Sequence, residues 1–180
     1  AILAARLRGR IDAAREARLV EGFLALPRLV AEALEREEEI ARLAHEIAHA
    51  RDVLYLGRGR LYPIALEGAL KLKEISYIHA EGYASGELKH GPIALIDDGV
   101  PVVVIAPSDS LFQKTVSNMQ EVMARGARVL LVTDPAGAEA GAAGAWATVT
   151  LPEAAPEAAP ILHAVPVQLL AYHAALAKGT

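Results

Sequence analysis

Three ionisable side chains share one stripe of an otherwise apolar segment. In LEGALKLKEIS (Leu66–Ser76), Glu67, Lys71 and Glu74 recur at helical spacing. At about 100° per residue they fall within an arc of roughly 60° on an α-helix, while Lys73 points nearly the other way. Carboxylates and ammonium groups can take and hold protons, so the stripe is a candidate for acid–base work. The plain alternative is a solvated face with an i,i+4 ion pair, contributing about a few tenths of a kcal/mol. His90, in GELKHGP, is a second group able to exchange protons near neutrality. A histidine before Gly-Pro is more often structural. His45, His49, His79, His163 and His173 have no motif around them and read as helix-surface or core residues.

The elements that must position these groups follow from the rest of the chain. With 180 residues, 53% apolar, it can bury one good-sized core. Its mean hydropathy of +0.28 argues against disorder. No apolar run reaches the 18 or so residues of a membrane span, and charged residues interrupt Arg6–Glu21, so nothing reads as a signal peptide. A net charge of −4 without a basic tract makes nucleic acid and anionic membrane poor partners. The absence of Cys excludes thiolate zinc sites and a cysteine nucleophile in this chain, and suits a reducing compartment.

Residues 1–50 read as helices, with Pro27 in the first turn of one and an apolar face running from Leu29 to Ile47. From residue 52 strands and helices alternate. Strands are predicted at 52–57, 77–83, 100–107, 127–134 and 145–151. Helices are predicted at 63–77, at 85–95 behind a Ser85 cap, at 110–126, and at 161–178 with a kink at Pro166. This alternation implies a parallel sheet with helices on both faces, and a ligand beyond the carboxyl ends of the strands. A domain boundary is expected near residue 50.

Two loops are candidate phosphate cradles. LGRGRLYP (Leu56–Pro63) leaves a strand for a helix, but Tyr62 stands where a dinucleotide fingerprint needs glycine. APSDSLFQKT (Ala106–Thr115) offers backbone N–H groups, yet Asp109 would repel an anion, so Ser108 or Asp109 reads as a helix cap.

The stretch LGRGRLYPIALEGALKLKEISYIHAEGYASGELKHGP (Leu56–Pro92) closely resembles the second sugar-isomerase (SIS) subdomain of the glucosamine-6-phosphate synthase family. The resemblance continues through PVVVIAP to VPVQLLAYHAALAKGT (Val165–Thr180). It implies a flavodoxin-like, three-layer αβα fold with a five-stranded parallel sheet. Residues 1–50 would be the end of a preceding subdomain and its connecting helices, and 51–180 the second SIS subdomain. It also implies roles. Glu74 matches the base that moves a proton between C1 and C2 of the sugar. Lys71 matches the lysine beside it, holding the carboxylate ionised and stabilising a developing oxyanion. His90 matches the histidine that opens the sugar ring from the adjacent subunit. Glu67 is read as a partner of Lys71.

The implied substrate is a sugar phosphate, with fructose 6-phosphate converted to glucosamine 6-phosphate in a cytoplasmic homodimer. No metal and no organic cofactor is implied. A phosphosugar-sensing regulatory module and a sugar-amine deglycase are the alternatives. The family's Ser/Thr-rich phosphate loop, its Schiff-base lysine and its glutaminase domain have no counterpart in this chain. Lys178 does not match that lysine. The 180 residues alone are therefore expected to be inactive.

Overall fold

The computed structural model describes residues 1–180. Four helices lead the chain: α1 (Ile2–Leu7), α2 (Ala13–Leu24), α3 (Leu26–Leu34) and α4 (Glu37–Ile47). The strands are β1 (Asp52–Gly57), β2 (His79–Ala84), β3 (Pro101–Ile105), β4 (Arg128–Thr133) and β5 (Ala147–Thr150). Among and after them come α5 (Tyr62–Ser76), α6 (Phe112–Met123), α7 (Pro135–Gly141) and α8 (Ala159–Lys178). All strands pair in parallel, in the order β2-β1-β3-β4-β5. That is the flavodoxin-like order, with its switch point between β1 and β3.

Successive side chains of a strand face opposite ways, so the near-continuous apolar strands feed two cores. Val53 and Tyr55 of β1 enter one cluster, and Leu54 and Leu56 enter the other. β3 and β4 divide likewise, with Val103, Ile105, Leu130 and Val132 on the first face and Val102, Val104, Val129 and Leu131 on the second. Helices α3, α4, α5 and α8 cover the first face. Helix α6 covers the second through Phe112, Val116, Met119 and Val122. Helix α8 has the length and mean hydropathy (1.3) of a membrane span, yet half of that window is buried inside the protein. It runs unbroken through the buried Pro166.

The core does not stop at the boundary expected near residue 50. Leu29, Ala33, Ile40, Ala44 and Ile47 join the cluster that holds Val53, Leu130 and Leu170. An amphipathic helix must bury its apolar face, and α4 finds α8 as its partner. By contrast, α1 and α2 bury no residue.

Three local expectations also change. Residues 85–95 form two 3₁₀ turns, Ser85–His90 and Pro92–Leu95, separated by Gly91 at φ +140°. Ser85 does not cap them. Its Oγ is buried and donates to the Gly57 carbonyl at 3.1 Å, tying the turn to the end of β1. Asp109 acts three residues ahead of α6, accepting from the Leu111 N–H at 2.7 Å, while Leu111 holds the cap position. Ser108 donates to Asp134 through both N–H and Oγ.

Candidate active site

Helix α5 carries the stripe, and its own sequence determines which side faces out. Gly57 lets the chain leave β1 through a 3₁₀ turn, Gly59–Leu61, that enters α5, because a Cβ there would lie 2.3 Å from the Leu61 carbonyl oxygen. The buried side of α5 is Ala65, Gly68, Ala69, Leu72 and Ser76. These mostly small residues let the helix lie close on the sheet and on α8. A Cβ on Gly68 would come within 2.7 Å of Tyr55 Cε1 and 3.1 Å of Val167 Cβ. The helix stops at Tyr77, whose φ of +59° is left-handed. With the small face inward, Glu67, Lys71 and Glu74 are left toward solvent.

Lys71 Nζ donates to Glu74 Oε2 at 2.9 Å. Their side chains are 37% and 47% exposed, so the pair is open to a substrate. The hydrogen bond to Glu74, and then that carboxylate's charge, raises the Lys71 pKa above its ordinary 10.5, and Glu67 adds to the shift. Glu67 makes no direct bond to Lys71. Its Oε1 instead accepts from Gln168 Nε2 of α8 at 3.1 Å. Exposed apolar side chains neighbour these charges in sequence, Leu66, Leu70 and Ile75 of α5 and Tyr77 just after it, and Tyr172 and Leu176 of α8 are exposed as well.

His90 is elsewhere. It ends the first 3₁₀ turn, beyond the carboxyl end of β2, and its Nδ1 lies 2.8 Å from Glu87 Oε2 with both side chains well exposed. Helix α5 runs back from the carboxyl end of β1 to the amino end of β2, which puts Lys71 and Glu74 toward the other edge of the sheet. Within one chain the structure brings Lys71, Glu74 and Glu67 together and leaves His90 apart.

At the carboxyl edge itself there is a cavity of about 110 Å³, lined by Leu61, Ser108, Asp109, Asp134 and Glu153 among others. None of the four candidate residues lines it. Asp134 is occupied there, accepting from Ser108 and from the Gly137 N–H at 2.8 Å. The rule that a ligand sits at this edge does not select the Lys71–Glu74 pair.

The family model for the SIS domain matches residues 46–178. The chain belongs to the SIS domain family. Across all 180 residues this SIS domain is 59% identical to glutamine–fructose-6-phosphate aminotransferase [isomerizing] of Bradyrhizobium diazoefficiens, spanning 30% of that relative. The namesake from Caulobacter vibrioides is 59% identical over 179 residues, again with 30% of its length spanned. Among solved structures, the C-terminal domain of glucosamine-fructose-6-phosphate aminotransferase from Francisella tularensis superposes with a TM-score of 0.95 at 42% identity, covering 99% of this chain and 50% of that one. A glucosamine-6-phosphate deaminase from Thermotoga maritima is more distant, with a TM-score of 0.67 and 26% identity over 98% of this chain and 48% of that one. The SIS domain described here thus spans about a third of the length of the curated relatives it matches.

Sequence reasoning missed Gln168 in this SIS domain. The signal available was one amide inside the apolar run VPVQLLAY (Val165–Tyr172), at a position that a core helix would fill with an apolar residue.

Proposed function

We propose that this chain is the C-terminal part of the isomerase domain of a glutamine–fructose-6-phosphate aminotransferase, acting on fructose 6-phosphate to give glucosamine 6-phosphate. The observation that carries the reading is the Lys71–Glu74 pair, hydrogen-bonded at 2.9 Å on an open face of α5. Converting a 2-imino ketose to a 2-amino aldose moves a proton from C1 to C2, and one carboxylate reaching both carbons can do so. Glu74 is that base. Lys71 bonds it and stabilises the charge on the sugar oxygen as the proton leaves. His90 opens the sugar ring, and its distance from the pair within one chain fits a contribution from the adjacent subunit of a homodimer. The exposed apolar side chains of α5 and α8 fit a site that a further folding unit of the longer protein covers. The cysteine-free sequence suits the cytoplasm, which is part of the proposal.

The test is product analysis with the full-length protein, given fructose 6-phosphate and glutamine. The proposal expects glucosamine 6-phosphate to accumulate. Release of ammonia from glucosamine 6-phosphate, with no synthesis in the forward direction, would favour the chemistry named for the Thermotoga maritima deaminase.

A further inference from the structure

We propose that Gln168 is a positioning residue for the Lys71–Glu74 pair and that it acts through Glu67. The inference rests on the catalytic reading of that pair given above. Lys71 stands between two carboxylates on its own helix, with Glu67 one turn before it and Glu74 three residues after. The placement of Glu67 four residues ahead of a lysine is the orientation in which a direct ion pair forms most readily on a helix. If Glu67 took that bond, Lys71 would be shared and its hold on Glu74 would loosen. Instead Lys71 bonds Glu74 at 2.9 Å, and Glu67 Oε1 is bound across the helix boundary by Gln168 Nε2 at 3.1 Å. Glu67 still acts on Lys71 by charge alone.

The neutrality of the amide is what makes this arrangement useful. A lysine or arginine at position 168 would pin Glu67 equally well but would cancel its charge. A glutamine pins it and leaves the charge to act on Lys71. The reach of that amide is set next door. Gly68 and Val167 are the immediate neighbours of Glu67 and Gln168, and they meet so closely that a Cβ on Gly68 would fall 3.1 Å from Val167 Cβ. Helices α5 and α8 therefore hold a fixed separation at the level of the Glu67–Gln168 bond.

The experiment uses the full-length protein with Gln168→Leu, and with Gln168→Asn, whose shorter side chain cannot span the gap. Freed Glu67 swings to Lys71, and Glu74 loses part of its partner. The expected result for both variants is an about three- to tenfold lower kcat, with KM changed less than about twofold. The melting temperature should stay that of the parent because position 168 is exposed. In a Glu67→Gln background the same substitution should change nothing further. An unchanged kcat, or an equal loss with and without Glu67, would overturn the inference. Lys71→Met and Glu74→Gln are measured alongside. If those two keep the parent rate, the catalytic reading itself falls. If they lose it while Gln168→Leu does not, only the role of Gln168 falls.

Discussion

Lys71 and Glu74 are bonded at 2.9 Å, three residues apart on the outward side of α5. The bond holds Lys71 above its ordinary pKa of 10.5. A raised folded-state value means that whatever the pair contributes is fully present below 10.5 and is lost only as pH climbs through the raised value. The ammonium should therefore stay charged throughout the neutral range. An NMR titration of Lys71 should show a midpoint above 10.5 that falls when Glu74 is replaced by Gln. A midpoint at or below 10.5 in the parent protein would mean that the bond does not persist in solution.

Gly68 sets how closely α5 lies on Tyr55 and Val167. Gly68→Ala gains up to about 1 kcal/mol of helix propensity, but it drives a methyl group into a ring carbon 2.7 Å away. Overpacking of that kind costs about 1–3 kcal/mol. The net expectation is a lower denaturant midpoint. A variant as stable as the parent would show that α5 has room to move on α8.

Helix α4 belongs to the main core through Ile40, Ala44 and Ile47. Ile40→Ala should cost about 2–5 kcal/mol, as a cavity in any core would. Unfolding should remain a single cooperative transition in denaturant. A separate early transition for the N-terminal helices, with residues 51–180 unaffected, would restore the boundary near residue 50.

His163 is buried in α8 with Nδ1 donating to the Ala159 carbonyl at 2.8 Å and Nε2 without a partner. Burial pushes its pKa below the ordinary 6.5, against the smaller opposing effect of the Ala159 hydrogen bond. The unfolded chain then takes up a proton that the folded protein resists. Stability is full above 6.5 and declines as pH falls below it toward the lowered value. His163→Leu should lose less melting temperature than the parent between about pH 8 and pH 5. Equal losses would show that other groups carry the acid sensitivity.

Much of this architecture was legible because its signals are local. VPVVVIAP and ARVLLVTD are short, β-branched apolar runs that read as strands buried on both faces, and the order of elements led to a parallel sheet. The Lys71–Glu74 stripe was legible because three- and four-residue spacings share a helix face. Other features depend on tertiary partners. Nothing in EEEIARLAHEI says that its apolar face meets α8, so the packing of α4 across the boundary expected near residue 50 has no local signal. Helix α7 was hidden because PAGAEAG carries two glycines, which usually break helices. Those glycines are needed: a Cβ on Gly137 would meet Thr133 Oγ1 at 2.0 Å and one on Gly141 would meet Phe112 Cζ at 2.7 Å. The Glu67–Gln168 bond joins residues 101 apart in sequence and leaves no local pattern.

The central claim is that Glu74 is the base, and exchange of the C1 hydrogen of fructose 6-phosphate with solvent tests it most directly. In the full-length protein Glu74→Gln keeps the size and shape of the side chain but removes its basicity. Because Glu74 is exposed, the fold should survive, as thermal melting would show. Loss of a general base costs on the order of 10²–10⁴-fold in rate. The account predicts that loss in C1 exchange, with sugar-phosphate binding retained. Exchange at the parent rate in Glu74→Gln would contradict it and leave the stripe of LEGALKLKEIS as an ordinary surface ion pair.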